Sequence, residues 1–185
     1  CKLLNDKSDN KYPTIAIGTH PSALPKKTLK DGPFTYVGKG ECLSTMESLI
    51  EYIKGNITIN KVPGLFYFAD NEVIKNLSSP LVKDLDGVLP RQKLELLDMN
   101  KYRAHNWHSF HNLDTRNSYA SLQTSLGCPF KCTFCCINAP FESNQIRFWS
   151  PENVINQIDE LVNKYNNKNI KIPDEMFVLS PKQVI

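Results

Sequence analysis

No apolar run in this sequence approaches the roughly 20 residues that cross a bilayer. The longest stretches, such as Gly64-Leu65-Phe66-Tyr67-Phe68-Ala69, stop far short of that. A dominant charge is lacking too: 22 Lys and Arg against 19 Asp and Glu leave a formal +3 over 185 residues, and the basic residues are scattered. Neither a membrane nor a nucleic acid is therefore an expected partner. The stretch from Lys2 to Lys11 is polar and lacks the apolar core of a signal peptide, so the expected compartment is the cytoplasm. Internal repeats and low-complexity tracts are absent, and no second C-x2-C exists to build a zinc ribbon. What remains is ordinary for a globular protein: 41% apolar and 22% charged residues, enough to bury a core without staples.

Three stretches differ in character. In the first, Thr14-Ile15-Ala16-Ile17 predicts a short buried strand that runs into a turn-like break at Gly18-Thr19-His20-Pro21. Thr35-Tyr36-Val37 repeats the pattern and runs into Gly38-Lys39-Gly40-Glu41. Ser44 and Glu47 have capping-box spacing, and Met46, Leu49, Ile50 and Ile53 share one face of the helix that follows. Gly55 stands where a helix-ending glycine belongs. Leu65–Phe68 and Val73-Ile74 predict a hairpin. Strands alternating with helices predict an α/β class.

Residues 79–118 have weaker order and read as a linker, with His105, His108 and His111 set among Trp107 and Phe110. The third stretch opens with a strand from Tyr119 to Ser125. Ser150-Pro151-Glu152 then predicts a helix start, with an N-cap, a proline at the first position and an acid in the first turn. Val154, Ile155, Ile158, Leu161 and Val162 form its stripe, Ile170-Lys171-Ile172 a further strand, and Ser180-Pro181 another helix start.

Six cysteines are present, and Cys128, Cys132, Cys135 and Cys136 fall within nine residues. Such crowding suits metal better than disulfides. Cys128, Cys132 and Cys135 have the spacing C-x3-C-x2-C, with Phe134 before the last, and Gly127 and Pro129 help the chain turn. Thiolates so close together can wrap one corner of a compact cluster. A four-iron cluster usually has a cysteine on each iron, so a loop supplying three leaves one iron open to an exogenous ligand. A zinc site using Cys132 and Cys135 with Cys128 or Cys136, completed by the histidines at 105, 108 and 111, is the other reading of the same residues.

The cysteine loop resembles the radical S-adenosylmethionine (SAM) superfamily motif, including the aromatic residue and the position after the first strand. That resemblance implies a [4Fe–4S] cluster on Cys128, Cys132 and Cys135, with Cys136 a spectator. It also implies SAM chelated to the open iron and cleaved to a 5′-deoxyadenosyl radical that abstracts hydrogen from an unactivated carbon. An electron donor such as flavodoxin or ferredoxin is the implied protein partner, and Phe134 is placed with the cofactor-binding residues.

The segments before the loop are similar to the cobalamin-binding domain fused to some radical-SAM cores. They are Gly18-Thr19-His20-Pro21-Ser22-Ala23-Leu24-Pro25, then Val37-Gly38-Lys39-Gly40-Glu41, then Leu85-Asp86-Gly87-Val88-Leu89-Pro90 with Leu96–Tyr102. The family commonly has Gly-Glu-Gly-Glu in the second turn, where this chain has Lys39. The cobalt-ligating Asp-x-His-x-x-Gly pattern is absent, so His20 is not expected to ligate cobalt. Gly18, Thr19, Gly38, Gly40 and Glu41 are implied at the border of the corrin or its nucleotide tail. Where many radical-SAM proteins have Gly-Gly-Glu to hold the methionine amino group, this chain has Pro173-Asp174-Glu175, and Asp174 and Glu175 take that expected role.

The resemblance thus implies the C-terminal part of a Rossmann-like cobalamin-binding domain (residues 1–78), a linker (79–118) and the first strands of a radical-SAM partial (β/α) barrel (119–185). The implied activity is methyl transfer from SAM, by way of methylcobalamin, to an unactivated carbon of a small-molecule substrate. Radical rearrangement or ring formation is its enzymatic alternative, and a non-catalytic metal-holding module the other. No catalytic residue is assigned. With only two strands after the linker, the chain is expected to continue at both ends in a longer, active protein.

Overall fold

A computed structural model describes residues 2–7, 12–89, 91–103, 118–167 and 169–179. These divide into two compact units. The first comprises Cys1–Val82 with Pro129–Gln145, and the second Lys83–Cys128 with Ile146–Ile185. The histidines at 105, 108 and 111 and the helix start at Ser180-Pro181 lie outside the described residues.

The first unit, after a short helix α1 (Lys2–Lys7), is built on a mixed sheet in the order β1-β2-β3-β4. Strand β1 (Ile15–Ala16) pairs parallel with β2 (Tyr36–Gly38). The β3–β4 hairpin (Leu65–Ala69, Glu72–Lys75) continues antiparallel from β2. Asp70 and Asn71, at φ 49° and 63°, make its two-residue turn, a conformation those side chains tolerate better than most. The sheet is thus α/β with a parallel start, and its far edge is antiparallel.

Alternation along the strands sorts side chains to two faces. Ala16, Val37, Phe66 and Val73 pack with Leu29 of α3 (Pro25–Asp31). Ile15, Tyr36, Leu65 and Tyr67 pack on the other side with Leu49 and Tyr52 of α4 (Leu43–Ile53) and with Val62. Helices on both faces explain why the strands carry apolar residues at successive positions.

Two local expectations are corrected. The break after Gly18 is a short helix, α2 (Thr19–Ala23), which Pro21 tolerates because N–H groups in a first turn have no intrahelical acceptor. Ser44 does not cap α4: Cys42, left-handed at φ 60°, holds that place, and the Ser44 hydroxyl instead meets that of Ser79 at 2.8 Å. On the expected stripe of α4, Leu49 is buried whereas Ile50 and Ile53 are exposed. Gly55 does end the helix, left-handed at φ 83°, its N–H donating to the Tyr52 carbonyl.

In the second unit β5 (Tyr119–Ser121) pairs parallel with β8 (Asn169–Lys171), Ala120 opposite Ile170. Parallel neighbours need a crossover, and α6 (Pro151–Asp159), extended by a π-helical turn at Glu160–Lys164, supplies it. Ser150 caps α6 as expected, its hydroxyl accepting from Asn153 N–H at 3.1 Å. Val154, Ile158 and Leu161 pack with Ala120, Leu122 and Ile170, whereas Ile155 and Val162 of the same stripe are exposed. The expected strand to Ser125 is interrupted: β6 (Ser125–Leu126) pairs antiparallel with β7 (Arg147–Phe148). Ahead of them, α5 (Leu85–Val88) is capped by the Asp84 side chain, and Asp86 accepts from the Ser150 N–H.

Candidate functional site

Cys42, Cys128, Cys132, Cys135 and Cys136 are all outside disulfides. Cys128 is buried and belongs to the second unit, whereas Cys132, Cys135 and Cys136 are exposed and belong to the first. The Cys135 N–H donates to the Cys132 carbonyl at 3.1 Å, so these two thiols share one turn. Phe134, between them in sequence, is 91% exposed. Among the described residues, no three His, Cys, Asp or Glu side chains are gathered as a metal ion requires. The donor set nevertheless fits an iron–sulfur cluster in kind, being soft thiols with two of them open to solvent.

The loop carrying them is tied internally. Asn138 donates from Nδ2 to the Phe130 carbonyl at 3.2 Å and to Asn144 Oδ1 at 3.3 Å. Its own carbonyl accepts from Phe141 and Glu142 N–H. Glu142 then pairs with Lys39.

The two glycine turns are joined by Ser22, a buried residue of α2 whose hydroxyl accepts from Gly40 N–H at 3.1 Å. Gly18, at φ 111°, has no atom within 4 Å of where a Cβ would stand, and Thr19 beside it is half-buried. The second turn is more occupied. A Cβ on Gly38 would meet Cys42 Sγ at 2.8 Å, and one on Gly40, at φ 100°, would stand 3.6 Å from the Pro140 carbonyl. Glu41 accepts from Val82 N–H at 2.8 Å. Backbone open enough for a large flat ligand is therefore clearest at Gly18.

Asp174, just beyond β8, accepts from Thr124 N–H (2.9 Å), Thr124 Oγ1 (2.5 Å) and Ser125 Oγ (2.7 Å). Its carboxylate is thus engaged within the second unit, and the exposed Glu175 next to it is the acid that faces solvent. Thr124 also lines a cavity of about 490 Å³ with Phe148, Trp149, Val154, Ile158 and Phe177.

The sequence places Ser22 in the first turn but not its bond to Gly40, and it does not mark Asn138 or the Lys39–Glu142 pair. Lys39 was visible as a departure from an acidic turn, but nothing local marked its partner far along the chain.

No protein-family model matches the chain. Over 185 residues, all of the chain and 38% of the relative, it is 27% identical to an uncharacterised methyltransferase of Pyrococcus horikoshii. It is 23% identical over 178 residues to the anaerobic magnesium-protoporphyrin IX monomethyl ester cyclase of Cereibacter sphaeroides, covering 91% of the chain and 26% of that enzyme. Among solved structures, the cobalamin-dependent SAM radical enzyme OxsB with aqua-cobalamin and SAM bound matches 98% of the chain and 24% of its own, at TM-score 0.67 and 20% identity. The chain is similar to cobalamin-dependent radical SAM enzymes. The radical SAM methyltransferase TsrM of Kitasatospora setae, with cobalamin and a [4Fe–4S] cluster bound, has the same fold over 94% of the chain and 33% of its own, at TM-score 0.63 and 13% identity. The chain spans less than two-fifths of the length of each of these proteins.

Proposed function

We propose that this chain is part of a radical-SAM enzyme that transfers a methyl group to an unactivated carbon of a small molecule. Cys128, Cys132 and Cys135 would hold a [4Fe–4S] cluster and leave its fourth iron for SAM. The observation that carries the reading is the C-x3-C-x2-C loop, with the Cys132 and Cys135 thiols exposed, in a chain similar along its whole length to a methyltransferase. The bound groups supply a 5′-deoxyadenosyl radical to remove hydrogen and a corrinoid-borne methyl group to replace it.

The chain's own residues have plainer tasks. Gly18 and Thr19 present open backbone to the edge of a corrinoid, and Ser22 keeps the turn of Gly38, Gly40 and Glu41 beside them. Asp174 orders the strand end that feeds the cysteine loop, which frees Glu175 to meet the SAM amino group. Phe134 borders the cofactor, and a flavodoxin- or ferredoxin-type donor reduces the cluster.

Anaerobic reconstitution of the full protein should load about four irons per chain and shift the spectrum of added hydroxocobalamin. With substrate and SAM, mass spectrometry should find a product carrying an added methyl carbon. Stoichiometric zinc in the cysteine site, or a well-folded protein indifferent to corrinoids, would overturn the reading. Ring formation is the second reading, favoured by the similarity to the cyclase. A product with no added carbon would select it.

A further inference from the structure

Residues 129–145 group with the first unit, although both their sequence neighbours belong to the second. Among the described residues, the Lys39–Glu142 side-chain pair stands at that contact. Lys39 directly follows β2, its N–H fixed on the Gly64 carbonyl at 2.8 Å, and its ammonium pairs with the Glu142 carboxylate. The Lys39 side chain is 22% exposed and that of Glu142 44%, so the lysine end of the pair is half-buried and the carboxylate end is open to solvent. Next to it, the Pro140 carbonyl rests over Gly40, at 3.6 Å from an ideal Cβ position. Glu142 itself is left-handed at φ 50°, a conformation that persists in a non-glycine residue where its surroundings over-determine it.

Holding Glu142 holds more than one residue. Its N–H donates to the Asn138 carbonyl, and the Asn138 side chain reaches the Phe130 carbonyl and Asn144. Cys132, Cys135 and Cys136 lie inside the span that Asn138 ties together. The charge at position 39 is therefore linked by a short set of bonds to the backbone at Phe130, two residues before Cys132.

We propose that Lys39 is a positioning residue for the cysteine loop: its ion pair with Glu142 fixes Cys132 and Cys135 against the turn that follows β2. The role in catalysis rests on the cluster reading above; the latch itself does not. A carboxylate at position 39 would instead repel Glu142.

The test is a charge swap in the intact protein: Lys39→Glu, Glu142→Lys and the double variant. Hydrogen–deuterium exchange of residues 138–145 should rise by about 1.4- to 5-fold in each single variant, the equilibrium factor of a partly exposed ion pair. The double variant should return to the original rate. In reconstituted protein, the EPR line shape of the reduced cluster should change in the singles and revert in the double. Unchanged exchange in both single variants, or a double variant no better than either, would overturn the proposal. Amides of the β3–β4 hairpin report whether the fold survives. If they also accelerate, Lys39→Met and Glu142→Gln, which remove charge without creating repulsion, decide the matter on the same exchange rates. Exchange is read with or without iron, so a failure to bind iron in the unaltered protein counts against the cluster reading alone.

Discussion

The Asp174 carboxylate accepts two hydrogen bonds from Thr124, one from the backbone N–H at 2.9 Å and one from the hydroxyl at 2.5 Å. A third comes from the neighbouring Ser125 hydroxyl at 2.7 Å. Thr124 lies just past β5, and Asp174 just past its parallel partner β8. One acid thus ties the ends of both strands at the point where the chain departs toward Cys128.

Removing that tie should cost stability. Asp174→Ala leaves the Thr124 N–H and two hydroxyls without their acceptor, and hydrogen bonds to a charged group contribute about 1.5–3 kcal/mol each. Solvent can rehydrate these partly buried donors, so a net loss of roughly 2–3 kcal/mol is expected. Guanidinium unfolding should show it as a lower midpoint at unchanged slope. An unaltered midpoint would mean that the carboxylate does not tie the strands in solution.

Gly64 is a second point of structural demand. It is left-handed at φ 68°, and a Cβ there would approach the Lys39 carbonyl to 2.5 Å. Its N–H donates to Leu77 and its carbonyl accepts from Lys39, so the backbone cannot easily move aside. Gly64→Ala should destabilise by about 1–3 kcal/mol, from strain and the close contact together. Gly55→Ala, also left-handed but with open space around the added methyl, should cost less. Thermal melts of the two variants give the comparison, and equal shifts would refute the role of the contact.

Cys42 should behave unlike the loop cysteines. Burial pushes its thiol above the ordinary range, and its Sγ donates to the Gly40 carbonyl at 3.3 Å. A raised folded value means the native state keeps its proton after the unfolded chain has lost it. This contribution to stability is complete below the unfolded thiol value, about 8.5, and is lost as pH rises through and above it. Iodoacetamide at pH 8 should therefore alkylate Cys132, Cys135 and Cys136 in the metal-free protein well before Cys42. Peptide mapping checks the order, and early labelling of Cys42 would contradict it.

Among the loop cysteines, alanine at Cys128, Cys132 or Cys135 should each abolish iron loading after anaerobic reconstitution. Cys136→Ala should retain about four irons per chain. Iron and sulfide analysis, with the visible charge-transfer absorption, reads the result. Loss of iron from Cys136→Ala alone would reassign the ligands.

The sequence by itself determined the parts whose cause is local. Short apolar runs marked the strands of the first unit, Ser150-Pro151-Glu152 marked the start of α6, and Gly55 marked the end of α4, because strand faces and helix caps depend on residues a few positions apart. The cysteine spacing was legible for the same reason. Only the tertiary structure decided which residues serve those local parts. Asp174 could be read as a ligand-facing acid until Thr124 and Ser125, some fifty residues earlier, were seen to claim its oxygens. Ser44 could be read as a cap until Ser79 took its hydroxyl and Cys42 the capping place. Lys39 stood out in its turn, yet Glu142 became its partner only when the chain brought residues 129–145 back to the first unit. A polar group is satisfied by whatever the folded chain places within about 3 Å, and no spacing along the sequence encodes that neighbour.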